Sequence, residues 1–588
     1  MSAKKIISAA LIGALLSTTI LAGCDSTSTP QNSSQSGTQQ STGSSSITIP
    51  EDGGYKTVSY ELSNDKYRTF YEIFPYSFCD SDGDGIGDLN GITSKLDYLN
   101  DGDPSTTDDL GIEGIWLMPI MSSPSYHKYN ISDYMTVDKA YGTNEDLKNL
   151  VDEAHKRNIN VIIDFVINHT SRSHEWYQKA IAELKEGKTD GYAQYYHFEE
   201  NNNVTGWNKA GVGDWYYECQ FDSDMPDLNL KNENLRNELK EIVKYWITEM
   251  GVDGFRLDAV KYFESAVVND ETVEDLQWLY DYAKTLKEDV YMVGECWDTS
   301  SAIAKCYESG ADSFFNFDMQ GSTGKVASSI NQKDAIGFVT YLEEWQTTIK
   351  ERNANAIDTP FLSNHDTARS AGFFTTLTKQ KMAAAMYMLS PGNSFIYYGE
   401  EIGMTGSASD PDKRTGMYWS STDTTGYVSS IPGATNKNVP EKSVEEQLED
   451  EDSLLTFYKK VIALKNQNPE IARGTLTAVD LGNDETAGYI STYNDSQVMV
   501  IFNLSDEGST VTVPSDKFTI NEVRGYAIAD SGDEEEAQTT DIDALLNPNK
   551  NTDESSEEVS QEEETEITEF SVNGSEVTLP AYSVIVLK

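Results

Sequence analysis

Gly254-Phe255-Arg256-Leu257-Asp258 is a short apolar run that ends on a carboxylate, with an arginine two residues before the acid. The same design returns in Val293-Gly294-Glu295-Cys296-Trp297 and in Phe361-Leu362-Ser363-Asn364-His365-Asp366. Each run predicts a buried strand. Asp258, Glu295 and Asp366 fall at or just beyond the strand ends, where a parallel β/α barrel gathers catalytic groups from separate strands. One acid so placed is ordinarily a helix N-cap or a solvated loop residue. Three of them, two with basic neighbours, point to carboxylate chemistry.

Around these runs strand-like and helix-like segments alternate. Residues 68–75 precede a helical pattern with Ile92, Leu96 and Leu99 on one face, and 114–119 precede one carrying Leu147, Leu150, Val151 and Ala154. Residues 161–167 are followed, after a long interval, by Leu235, Leu239, Ile242, Trp246 and Met250 at helical spacing. Further strands are expected around Phe255, Met292, Phe314, Phe361 and Phe395, and eight such units close a (β/α)8 TIM barrel over residues 56–467. The interval at 170–233 is rich in Trp, Tyr, Gly and Asn and holds Met225-Pro226-Asp227-Leu228-Asn229. It is too long for a plain loop and predicts a small subdomain inserted after the third strand. From 468 to 588 short β-like runs, such as 497–502 and 576–586, predict a C-terminal β-sandwich. Within it, 530–569 has the acidic, Ser- and Thr-rich composition of a disordered insertion.

The 588 residues suffice for a large core with satellites, and 38% hydrophobic with 11% aromatic residues is a soluble, aromatic-rich composition. A net charge of −53 argues against nucleic acid and against electrostatic attraction to anionic membranes, and it favours a neutral substrate. Residues 1–24 form a leader: Lys4 and Lys5 precede an apolar stretch at 6–20 that ends in Leu21-Ala22-Gly23-Cys24. That ending resembles the lipobox of bacterial lipoproteins, which implies that Cys24 is lipidated and that the mature chain is extracytoplasmic and membrane-anchored; secretion after ordinary signal cleavage is the alternative. Residues 25–55 are then expected to be a flexible tether. Cys79, Cys219, Cys296 and Cys306 show no disulfide framework and no metal-ligand spacing.

A metal site is expected in Asp80-Ser81-Asp82-Gly83-Asp84-Gly85-Ile86-Gly87-Asp88. Alternating acids separated by glycines let a loop wrap one hard cation, with carboxylates from Asp80, Asp82, Asp84 and Asp88 and the carbonyl of Ile86. Nine positions pass for an EF-hand, but Gly91 stands where the bidentate Glu is required, so the expectation is a structural calcium site of another kind.

The chain from about residue 67 onward resembles the α-amylase family, glycoside hydrolase family 13. The resemblance rests on Asp164-Phe165-Val166-Ile167-Asn168-His169, on Gly254 to Lys261 (Gly-Phe-Arg-Leu-Asp-Ala-Val-Lys), on Gly294-Glu295-Cys296-Trp297, on Asn364-His365-Asp366 and on the Met225 to Asn229 motif. It implies Asp258 as nucleophile, Glu295 as general acid/base and Asp366 as transition-state stabiliser. It implies Tyr129, His169, Arg256, Lys261, His365 and Arg369 as substrate contacts, with Tyr129 stacking under the sugar at the point of cleavage. Arg256 and Asp258, two apart on a strand, point the same way, so the guanidinium keeps the carboxylate ionised. Glu295, among apolar neighbours, can hold a proton for the leaving oxygen. A retaining mechanism on starch or maltooligosaccharides is the expected activity; neopullulanase-like, α-glucosidase or glucanotransferase activity and a non-catalytic glycan-binding lipoprotein are the alternatives. Exo-acting α-glucosidases of the family commonly carry Asp where this chain has Asn130, which favours endo-cleavage. Tyr262, where many α-amylases have His, argues against a second calcium site at Asn168.

Overall fold

The computed structural model describes residues 47–55, 62–202, 205–435, 439–530 and 567–588. The leader, Cys24, most of the tether and most of the acidic insertion lie outside the described residues.

Eight parallel strands form one sheet: β1 (Phe70–Ile73), β2 (Gly114–Leu117), β3 (Asn160–Phe165), β4 (Gly254–Leu257), β5 (Tyr291–Gly294), β6 (Ser313–Phe315), β7 (Ile357–Thr359) and β8 (Phe395–Tyr397). From β1 to β7 each strand pairs with its neighbour in sequence, and β8 pairs with β1, so the order runs round the sheet. A parallel bridge from Phe361 to Phe395 links the β7 and β8 sides and makes the sheet a TIM barrel. The seventh strand thus ends at Thr359, ahead of the run Phe361 to Asp366 expected to form it, and Phe361 touches β8 through the bridge alone. Val, Ile, Leu and Phe fill the strands because both faces are covered, the barrel interior on one side and the helices on the other. Gly254 opens β4 because a Cβ there would lie 1.8 Å from the Tyr291 carbonyl oxygen of β5.

The excursion after β3 contains the helix Glu175–Lys185 and an antiparallel sheet of Phe198–Glu200, Trp215–Glu218 and Trp207–Lys209. Beyond the helix Leu454–Gln467 the chain builds a five-stranded and a three-stranded antiparallel sheet. Val479, Met499, Ile501, Val511, Val577, Leu579 and Ile585 from both sheets share one buried core. The tether is shorter than its composition suggests. Ile47 donates its N–H to Val572 O at 3.3 Å, and Ile47 and Ile49 pack against that core, so 47–55 is folded chain. All four described cysteines are free thiols and buried. No helix of the described residues is long and apolar enough to cross a membrane.

Candidate active site at the C-terminal end of the barrel

The C-terminal ends of the strands open into a cleft of about 680 Å³ lined by Tyr129, His169, Asp258, Lys261, Glu295 and Asp366 among others. Arg256, fully buried on β4, organises its floor. Its Nη1 donates to Asp164 Oδ1 at 2.8 Å and Oδ2 at 3.0 Å and to Asp258 Oδ1 at 2.7 Å, while Nη2 lies 3.1 Å from Glu295 Oε2. The guanidinium sits over the ring of Trp116 at 5.0 Å. One cation thus faces carboxylates from β3, β4 and the end of β5, and burial, which alone would lower its pKa, is outweighed so that it is held well above the usual value.

Asp258 and Glu295 are tied through the backbone between them. Ala259 takes a left-handed conformation (φ 50°), uncommon for a residue with a Cβ. In that pose its N–H donates to Glu295 Oε2 at 3.0 Å. Burial pushes the Glu295 carboxyl up, Arg256 opposing and Asp258 and Asp366 adding to the rise. With Oε2 engaged by Ala259 and facing Arg256, a proton on Glu295 belongs on Oε1.

Asp366 is set differently. Arg414 Nη2 donates to its Oδ1 at 2.7 Å and His365 Nε2 lies 3.0 Å from its Oδ2. Burial would raise this carboxyl, but His365 and Arg414 hold it well below the usual range. His365 is itself pinned at Nδ1 by Glu72 of β1 at 2.6 Å. Burial would lower its pKa, and Asp366 and Glu72 push it instead up to about 9. Tyr129 stacks on the His365 ring at 5.4 Å and donates its hydroxyl to Asp164 Oδ2 at 3.0 Å, so its face is fixed beside the carboxylates. His169 lines the cleft with a buried Nε2 that has no hydrogen-bond partner among the described residues. Lys261 also lines it, paired to Asp298 at 2.9 Å.

Two expectations need correction. Arg369 is buried away from the cleft and donates to backbone, from Nε to Lys413 O at 2.8 Å and from Nη1 to Tyr398 O at 2.6 Å, so it cannot contact substrate. Asn130 is also buried; its side chain accepts from Ser123 at 2.8 Å and from Ser125, and donates to Asp224 at 2.8 Å. Its being Asn rather than Asp therefore does not bear on endo- against exo-cleavage.

Sequence reasoning missed Asp164, Glu72 and Arg414. Asp164 closes the apolar run Val161-Ile162-Ile163, the very pattern that singled out the other acids, and could have been found by it. Arg414 lies 48 positions past Asp366, directly after the one-turn helix Asp410–Lys413, which carries no periodic signal. Aromatic side chains also border the cleft: Phe221 and Trp297 are about half exposed, and Trp297 stacks on Phe317 at 5.2 Å.

At the acidic loop, carboxylate oxygens of Asp80, Asp82 and Asp88 come within 4.8 Å of one another. None of the three is ion-paired among the described residues, and an all-oxygen acidic donor set fits a hard cation. Gly83 and Gly85 take φ of 84° and 92°, which lets their N–H groups turn in to the Asp80 carboxylate at 2.6 and 2.8 Å. Asp84 is not in the group; its Oδ1 accepts from Ile86 N at 2.8 Å in a local turn.

The family described as alpha amylase, catalytic domain, matches residues 72–474. The chain belongs to the α-amylase family. It is an α-amylase-family glycoside hydrolase. Alpha-amylase 3 of Dictyoglomus thermophilum is 38% identical over 454 residues, 75% of this chain and 85% of that protein. The oligo-1,6-glucosidase of Bacillus cereus is 29% identical over 539 residues, covering 77% and 92%. Among solved structures, Eubacterium rectale Amy13B is similar with a TM-score of 0.80 at 40% identity, covering 91% of this chain and 98% of that one. The α-amylase from H. orenii superposes with a TM-score of 0.72 at 34% identity, covering 89% and 99%.

Proposed function

We propose that the chain is an extracytoplasmic α-amylase that cleaves α-1,4-glucosidic bonds in starch and maltooligosaccharides by a retaining mechanism. The observation that carries this reading is the single guanidinium of Arg256 set between Asp164, Asp258 and Glu295. Asp258, held by the Arg256 guanidinium, attacks the anomeric carbon. Glu295, raised by burial, gives its proton to the leaving oxygen and then takes one from the incoming water. Asp366, kept anionic by His365 and Arg414, faces the positive charge that develops on the sugar. Tyr129 offers a ring face to the sugar, and His169 and Lys261 offer polar groups from the cleft lining. The test is digestion of soluble starch, with the anomeric form of the first products read by NMR. Short α-configured products support the reading; β-configured products or no hydrolysis overturn it.

A second reading, α-1,6 cleavage, is favoured by the relatives named oligo-1,6-glucosidase. Isomaltotriose assayed beside maltotriose separates the two.

Calcium is the ion proposed for the acidic loop, a structural rather than catalytic part because none of its carboxylates lines the cleft. An ion present at a hundredfold its Kd stabilises by about 2.7 kcal/mol. Chelation is therefore expected to lower the Tm by roughly 5 °C, at ~2 °C per kcal/mol for a large domain. Asp82→Ala should abolish the response to added calcium and Asp84→Ala should leave most of it; identical melting curves with and without chelator would refute the site.

Lipid anchoring is proposed from the Leu21 to Cys24 sequence. Cys24→Ser is expected to release active enzyme into the medium or stall its processing, with specific activity on soluble starch unchanged. Finding the parent wholly in the medium with an N-terminus beyond Cys24 would rule the anchor out.

A further inference from the structure

Arg369 sits three residues past Asp366, is 1% exposed, and directs its charge to backbone oxygens. Its guanidinium lies 4.2 Å from the centroid of the Tyr397 ring and 4.7 Å from that of Tyr398, both at the end of β8. The segment it grips is fastened at every residue. Lys413 O accepts from Arg369 at 2.8 Å and from the Tyr397 hydroxyl at 3.1 Å; Arg414 O accepts from Ser77 at 2.5 Å; Thr415 O accepts from the Tyr398 hydroxyl at 2.7 Å. From this segment Arg414 reaches Asp366 Oδ1 and also donates from Nε to His365 O at 3.0 Å, and Lys413 Nζ donates to Asp366 O at 2.7 Å.

We infer that Arg369 is a positioning residue: by holding the Lys413 carbonyl against the end of β8, it sets the Arg414 guanidinium on the carboxylate of Asp366. A free Arg side chain samples many rotamers, and a guanidinium that must meet one carboxylate oxygen needs its backbone fixed first. Arg369 supplies a charged donor for that purpose, and charge-assisted hydrogen bonds to a carbonyl are the stronger kind. The inference rests on the proposed part of Asp366 in glycoside cleavage.

The test is a double-mutant cycle on kcat and KM with a maltooligosaccharide, in full-length protein, with the active fraction normalised by titration with a tight-binding inhibitor. Arg369→Met is expected to lower kcat by roughly 10- to 100-fold at nearly constant KM, the size seen when a catalytic group is misplaced by about an ångström. Arg414→Met should cost at least as much, and the double variant no more than Arg414→Met alone. Arg369→Lys, which keeps a cation able to reach one carbonyl, should recover part of the loss. If Arg369→Met does not fold, Tyr397→Phe removes only the second hydrogen bond to Lys413 O and should give a smaller kcat loss that vanishes beside Arg414→Met. Additive losses, or a loss confined to the active fraction or to KM, would overturn the inference. Asp366→Asn serves as the control: unimpaired hydrolysis in that variant would bring down the functional reading of the site itself, whatever the cycle shows.

Discussion

Asp258→Asn and Glu295→Gln are each expected to lower kcat by roughly a thousandfold or more while the Tm moves little. Both substitutions preserve volume, and the surroundings tolerate them. The first leaves Arg256 its two hydrogen bonds to Asp164, and in the second the new amide oxygen can still accept from Ala259 N–H. What each removes is a chemical part: an ionised oxygen that can form the glycosyl bond, or a proton for the leaving oxygen. The two variants should also differ from one another. A nitrophenyl α-maltoside leaves without needing a proton, so Glu295→Gln should recover much of its first-step rate on that substrate, whereas Asp258→Asn should recover none. Activity within about tenfold of the parent on starch in either variant would remove the assignment.

The fold was legible because the barrel strands are buried on both faces and so appear as apolar runs closed by polar residues. The pattern holds for 161–165, 254–257 and 291–294. Asp258 and Glu295 followed from the same pattern, each one residue past its strand, whereas Asp366 lies seven positions beyond the end of β7. What could not be read was anything set by a contact between segments distant in sequence. Arg414 is placed by hydrogen bonds to His365 and Asp366, and nothing local in Asp410-Pro411-Asp412-Lys413-Arg414 announces them. Arg369 illustrates the opposite error: its sequence neighbours lie in the site, but its rotamer carries the guanidinium into the wall behind it. Asn130 went wrong in the same way, one residue past the Tyr129 platform yet turned to Ser123 and Asp224. In the acidic loop the spacing suggested four carboxylates on one ion, whereas positive φ at Gly83 and Gly85 folds the loop so that Asp84 caps its own turn.

Arg256→Met should be the most damaging single substitution, because it is expected to abolish activity and to destabilise the protein together. Asp164 and Arg256 are both fully buried, and removing one partner of a buried ion pair costs about 3–5 kcal/mol, since the remaining charge is left unpaired. Burial already pushes the Asp164 carboxyl up, with Arg256 the chief opposing influence, so the variant raises its folded-state pKa further. The sign of the pH dependence follows. At a pH below the carboxyl's unfolded value, near 3.9, Asp164 is protonated in both states and the penalty is small. As pH rises the unfolded chain ionises freely while the folded one resists, so the variant loses stability between that value and its raised folded pKa. Urea denaturation at pH 4.5 and pH 7.5 reads this directly: the deficit relative to the parent should be larger at the higher pH. Asp164→Asn introduced into Arg256→Met should return part of the stability at pH 7.5 and none of the activity, because it removes the stranded charge and leaves Asp258 and Glu295 without their shared cation. An Arg256→Met protein with parental stability at pH 7.5 would show that the guanidinium is not the charge on which this floor depends.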